Sequence, residues 1–98
     1  MIFEMAQIDV KPGMESAFEQ GVAKAAPLFR RARGWRGLQV LKGIEQPTRY
    51  TLMISWETLD DHVVHFRNSE DFKEWRKLVG DFFAGPPQVT HSQVTAKL

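Results

Sequence analysis

Two histidines, His62 and His65, stand between two tryptophans, Trp56 and Trp75, with Arg67 and Arg76 close behind. A three-residue spacing on a helix puts both imidazoles on one face. Histidine titrates near neutral pH, so either could take a proton from a bound substrate or hold it by a hydrogen bond. Trp56, Trp75 and Tyr50 could wall a pocket for a flat phenolic or quinonoid ligand. Arg67 and Arg76 could stabilise an enolate or phenolate. His91, placed mid-strand, could look into the same cavity. Gln7, a polar residue on the first strand, could touch the ligand. Each also has a plainer role: tryptophans as core anchors, arginines as solvated helix residues, histidines as surface caps or packing.

Other chemistries are excluded. The chain has no cysteine, which removes disulfides, thiolate nucleophiles and sulfur-ligated metals. The His62/His65 pair lacks an evident third ligand, so neither a metal nor a cofactor is expected. No Ser-His-Asp order, phosphate loop or paired-carboxylate pattern is present. Gly34-Trp35-Arg36-Gly37 is not a dinucleotide motif, because a strand follows it.

Ninety-eight residues suit one domain, residues 1–98. Thirteen basic and twelve acidic residues are interspersed and leave a net charge of +1. Such a chain offers no field of one sign to nucleic acid or to an anionic membrane. The basic run Arg30-Arg31-Ala32-Arg33 follows a helix pattern and reads as charge at a helix C-terminus. No apolar run nears the ~20 residues of a membrane span. Glu4, Gln7 and Asp9 interrupt any signal-like start. A cytoplasmic protein is expected.

The elements that must position these residues follow from periodicity. Ile2–Val10 reads as a strand, with Ile2, Ala6, Ile8 and Val10 on one face together with Glu4. Lys11-Pro12-Gly13 is a turn. Met14–Arg31 reads as a helix with Met14, Phe18, Val22, Ala25 and Phe29 in one stripe, kinked or shortened by Pro27 and ended by Gly34. Trp35–Lys42 and Arg49–Glu57 read as strands about a turn at residues 43–48. Tyr50, Leu52, Ile54 and Trp56 share a face of the latter, which reads as a central strand. Thr58 and Asp61 resemble a capping box opening a short helix to about Arg67. Ser69 caps another, with Phe72, Trp75 and Leu78 or Val79 buried. Residues 80–87 form a loop and Gln88–Lys97 a last strand. The order is that of a ferredoxin-like βαββαβ domain, a four-stranded antiparallel sheet with helices on one face.

Helices cover one face, yet Phe3, Met5, Leu41 and Met53 fall in the other phase. Each large apolar side chain left in water forfeits roughly 1.5–3 kcal/mol of burial. A second copy packed sheet against sheet would cover them, so a homodimer is expected.

Several of these features recur together in one known family. They are the Lys11-Pro12-Gly13 turn, the Gly34-Trp35-Arg36-Gly37 strand entry, and Trp56-Glu57 closing the third strand. Asp61-His62, Phe66-Arg67 with Ser69, Phe72 with Trp75, Phe82-Phe83, Pro86-Pro87 and His91 follow. In that order they resemble the antibiotic biosynthesis monooxygenase domain family of the dimeric α/β-barrel superfamily. The resemblance implies quinone-forming oxygenation of phenols without metal or flavin. Some relatives degrade haem, with an Asn on the first strand and a Trp and a His in the helical region. Those positions hold Gln7, His65 and Trp75 here, and no histidine stands at the iron ligand's place, so haem chemistry is disfavoured.

The expectation is a small homodimeric oxygenase for an aromatic or quinol-type substrate. His65, or else His62, serves as base, and Gln7, Tyr50, Trp56, Arg67, Trp75 and His91 contact the ligand. His65 is favoured because the resemblance sets it where relatives carry a pocket-lining aromatic. The alternative is a non-enzymatic dimeric module that binds a small hydrophobic metabolite.

Overall fold

The alternation in the strands decides where everything else packs. The computed structural model describes residues Met1–Leu98. Its strands are β1 (Ile2–Asp9), β2 (Trp35–Lys42), β3 (Arg49–Trp56) and β4 (Gln88–Ser92), and its α-helices are α1 (Glu15–Arg30) and α2 (Glu70–Val79). A π-helical turn, Asp61–Phe66, precedes α2. The sheet order is β2-β3-β1-β4, with every pair antiparallel. This is the ferredoxin-like α+β arrangement the sequence predicts.

The inward residues are Glu4, Ala6 and Ile8 of β1, and Tyr50, Leu52, Ile54 and Trp56 of β3. Register sets Glu4 against Ile54, Ala6 against Leu52 and Ile8 against Tyr50. Onto this face α1 lays Phe18, Val22, Ala25, Leu28 and Phe29, and α2 lays Trp75 and Val79. Phe18 and Trp56 are wholly buried, and each such side chain contributes about 1.5–3 kcal/mol through lost water contact.

Three details differ from the sequence expectation. Met14 stands before α1 and is 42% exposed, while Leu28 joins the buried stripe. Pro27 is accommodated inside the helix, on its exposed side, and α1 ends a few residues later. The last strand stops at Ser92 rather than Lys97. Ser92 pairs with Phe3, so β1 has almost no backbone left for a longer partner.

β2 is an edge strand, and no helix covers its far end. Val40 is 40% exposed as a result, although it shares the inward phase. On the other side of the sheet, Phe3, Met5, Gln7, Thr51 and Met53 are covered by no layer of this chain.

The segment after β3 is held by a reciprocal cap. Thr58 N–H donates to Asp61 Oδ2 and Asp61 N–H donates to Thr58 Oγ1, both at 3.2 Å. That pairing satisfies two otherwise unpaired helix N–H groups. Gly34 packs directly against Asp61. Its φ is +75°, and a Cβ there would lie 2.0 Å from Asp61 Oδ2. Its carbonyl also accepts from Glu57 N–H at 2.8 Å. Glycine is required here twice over, for the left-handed backbone and for the close approach. Gly34→Ala is expected to destabilise the fold by about 2 kcal/mol or more, read by urea unfolding. Unchanged stability would show that Asp61 is not fixed by this contact.

Candidate functional site

Between the sheet and the helices lies a cavity of about 250 Å³. Its floor is the inward face of the central strands, Ala6, Ile8, Leu52 and Ile54. Phe29, Phe66, Phe72 and Trp75 roof it, and Phe83, Pro87 and Val89 close one side. Four charged or titratable side chains line it: Glu4, His62, Arg67 and Arg76.

The π turn explains why His62 is among them. Arg67 N–H donates to the carbonyl of His62 at 3.0 Å, five residues back. The widened turn carries both His62 and Phe66 inward, and both are buried. Such turns are rare and are frequent at functional sites. His65 lies on the opposite side, exposed, in a polar surface depression with Arg33, Glu57 and Asp60. The favoured inward histidine is therefore His62, because a π turn shifts which residues share a face.

His62 belongs to a line of hydrogen-bonding groups. Trp56 Nε1–H donates to Glu4 Oε1 at 3.0 Å. The same oxygen lies 3.2 Å from His62 Nε2. His62 Nδ1 lies 2.8 Å from His91 Nε2. Trp56 also stacks on the His62 ring, with centroids 5.4 Å apart and planes 16° from parallel. Glu4 is 6% exposed and His62 3%, whereas His91 is only half-buried on the short edge strand β4. The line thus runs from the cavity wall towards solvent.

Burial governs its electrostatics. It pushes the Glu4 carboxyl up to about 7, against the Trp56 hydrogen bond and the nearby Arg67 charge, which pull it down. Burial pushes the His62 imidazole down to about 4, reinforced by Arg67 and His91. The His91 imidazole is lowered as well, by burial and then by Arg67. Both members of the Glu4–His62 pair are driven towards their neutral forms, so near pH 6 the pair holds one proton between them. With that proton on Glu4, Glu4 donates to His62 Nε2 and His62 Nδ1–H donates to His91. When the proton passes along the line, Glu4 is left ionised and accepts from His62 Nε2–H, and His91, which has gained the proton, donates from Nε2–H to His62 Nδ1. One concerted shift of protons interconverts the two states.

The remaining predicted residues separate cleanly. Trp75 and Arg67 line the cavity, as does Arg76. Trp56 stands behind the cavity wall and holds Glu4, and His91 is the outer end of the line. Tyr50 does not reach the cavity. It lies under α1, where its hydroxyl donates to Glu19 Oε2 at 2.6 Å. Burial, and then that carboxylate, raise the Tyr50 hydroxyl above its ordinary value. Gln7 does not reach the cavity either, because odd-numbered residues of β1 face the uncovered side. Glu4 is the member that the sequence reading did not place in the site. Its sequence signal was a carboxylate in the buried phase of β1, which demands a partner. No group of three or more His, Asp or Glu side chains converges on a common point; His62 already engages one neighbour with each ring nitrogen.

Comparison with known proteins agrees with this architecture. A family model for antibiotic biosynthesis monooxygenase matches residues 1–78. The uncharacterised Bacillus subtilis protein YczJ is 36% identical over 93 residues, covering 95% of this chain and 98% of its own. A Bordetella bronchiseptica protein assigned to the antibiotic biosynthesis monooxygenases is 58% identical in its crystal structure, with a TM-score of 0.95 and 97% of each chain covered. SnoaB, a cofactor-independent oxygenase from Streptomyces nogalater, shares the fold at 15% identity, with a TM-score of 0.83 over 99% of this chain and 95% of its own. No helix is long and apolar enough to cross a membrane.

The shared proton gives opposite pH signatures to the two partners. Glu4, raised from 4.5 to about 7, takes up protons on folding, so its contribution to stability falls as pH rises through that window. His62, lowered from 6.5 to about 4, releases a proton on folding, so its contribution rises with pH through its own window. In the intact pair the two slopes nearly cancel. Relative to wild type, Glu4→Gln should become more stable from pH 4.5 to 7 by about 2–3 kcal/mol, and His62→Gln less stable by a similar amount. Urea unfolding at matched protein concentration reads both. Slopes of the same sign in the two variants would contradict a shared proton.

Proposed function

This chain belongs to the antibiotic biosynthesis monooxygenase family, and we propose that it oxidises a small phenol or quinol with dioxygen, using Glu4 as the base. The observation that carries this reading is the buried Glu4–His62 pair, continued outward by half-buried His91, in the wall of an apolar, aromatic-roofed cavity. A base needs a proton affinity near the working pH, and Glu4 has it at about 7. The cavity lies below the roughly 300–1,000 Å³ usual for ligand sites, which favours a substrate of one or two rings. Trp75 and Phe72 supply a flat wall for it.

The balance of the reaction is one phenol plus dioxygen giving one quinone plus water. Glu4 takes the phenolic proton, and His62 and His91 share it. The electron-rich ring then passes an electron to dioxygen. A ring carbon–oxygen bond forms, and the new peroxide takes a proton back from Glu4. Glu4 next removes the proton from that ring carbon. The oxygen–oxygen bond breaks, a carbonyl forms, and hydroxide leaves with the proton as water. The base ends unchanged, and the substrate supplies the electrons. Arg67, close enough to lower the affinity of Glu4 and both imidazoles for protons, also favours the phenolate.

On this reading Glu4→Gln keeps the Trp56 hydrogen bond but lowers kcat on a naphthol or quinol by roughly 10²–10⁴. His65→Ala leaves the rate unchanged. The wild-type rate rises with pH through about 7 as Glu4 ionises. Oxygen uptake measured with an electrode decides it. An unchanged rate in folded Glu4→Gln removes Glu4 from the chemistry, and saturable binding without oxygen uptake makes the protein a binding module.

The whole chain, residues 1–98, acts in this reading as one domain of a homodimer. Phe3, Met5 and Met53 on the uncovered sheet face support that pairing, since apolar area of this kind favours association. Wild type is expected to scatter light as a dimer at micromolar concentration. Met53→Asp should give a monomer with a lower melting temperature, because a dimer of this kind couples association to folding. A monomeric wild type would end the proposal.

A further inference from the structure

Arg67 and Arg76 are the two arginines that line this cavity, and four of the five others are held in ion pairs. Arg31 pairs with Asp71, Arg33 with Asp61, Arg36 with Glu57 and Arg49 with Asp9. Arg67 and Arg76 have no carboxylate partner in the chain. Arg67 makes no side-chain hydrogen bond, and the Arg76 guanidinium lies over the Phe83 ring, 5.5 Å from its centroid. Both side chains are exposed, yet both line the cavity. They therefore sit at its rim, while Glu4 and His62 sit buried in its wall.

Two guanidinium groups at the mouth of an apolar cavity make a recognition site for a planar anion. A guanidinium presents a rigid fork of donors that matches a carboxylate. Its delocalised charge also tolerates the partly dry ground beside an aromatic ring such as Phe83. The wall has a different task. Glu4 and His62 exchange a proton and present no fixed positive charge to a ligand. The cavity thus has a proton acceptor in its wall and two cations at its rim.

We infer that the ligand of this cavity is an aromatic acid, its ring against Trp75 and Phe72 and its carboxylate held at the rim by Arg67 and Arg76. This rests on the cavity being a ligand site, as in the oxygenase reading, and narrows its substrate to a phenol bearing an anionic substituent. The substituent stays partly hydrated between two exposed side chains. An uncharged phenol of the same shape would leave both cations unpaired.

A matched pair of probes tests it without turnover. 2-Naphthoate and 2-naphthamide have nearly the same shape and differ in charge. Calorimetric titration of the full-length protein should show the carboxylate binding about tenfold to a hundredfold more tightly, the usual worth of hydrogen bonds to charged groups. The preference should shrink as salt is raised. It should vanish in Arg67→Gln/Arg76→Gln, whose exposed positions leave the fold intact, as an unchanged melting temperature would confirm. Equal affinity of the two probes for wild type overturns the inference. So does a preference that survives the double substitution, or failure of both probes to bind. Oxygen uptake on 6-hydroxy-2-naphthoate, a phenol that carries the carboxylate, is read separately. Its absence, with the anion preference intact, would sink the oxygenase reading alone. Uptake together with equal probe affinities would sink the aromatic-acid inference alone.

Discussion

A carboxylate buried on the inner face of a sheet is the constraint around which this molecule is arranged. Glu4 stands in the phase of β1 that points at the core, between residues that are apolar for good reason. Leaving it there without partners would cost several kcal/mol. Trp56 and His62 answer that demand, one with an indole N–H and one with a ring nitrogen. Neither partner arrives by chance. Trp56 ends β3, next to β1 in the sheet, so pairing sets it beside the start of β1. His62 reaches Glu4 from the segment after β3, which winds as a π turn. That turn starts at the Thr58–Asp61 cap, and the cap is seated against Gly34. A chain of local choices, each weak alone, ends in one buried proton.

Such an arrangement is poor value if stability is the aim. Apolar residues of similar volume commonly replace a buried polar pair with no loss or with a gain. Removing a single partner is the damaging change, because it strands the other without water. A group of this kind is expected where a titrating proton has work to do. The line from Glu4 through His62 ends at half-buried His91, nearer to solvent. Two buried titratable side chains of this kind are what the proposed proton transfer would require.

The strands were readable because alternation is a local property. Ala6, Ile8, Tyr50, Leu52, Ile54 and Trp56 announce the inward face by their own period, and the structure places them there. Ser69 is equally plain: its hydroxyl accepts from Phe72 N–H, and α2 follows. The length of β4 was not readable, because it depends on where β1 begins and not on the residues of β4. The inward histidine was not readable either. An ordinary helix would leave the choice between His62 and His65 to the stripe around it, whereas a π turn resets the stripe by one residue. Tyr50 and Trp56 show a further limit. Both are large aromatics on the correct face, yet one is screened by α1 and the other by His62. Which core aromatic also borders empty space is decided by the helices and not by the strand.

Alternation also gives the two faces of the same strands different surroundings. Even-numbered residues of β1 meet the cavity, and odd-numbered ones, Phe3, Met5 and Gln7, meet whatever covers the open face. A shift of one residue in the β1–β3 register would exchange the sets, putting Met5 in the cavity and Glu4 on the outer surface. The Glu4–Trp56 hydrogen bond opposes that slip from within. A layer packed over Met5 and Met53, which pair directly across β1 and β3, would oppose it from without. The cavity face and the open face are then chemically separate but share one register. Disturbance of either reaches the other through the backbone of β1.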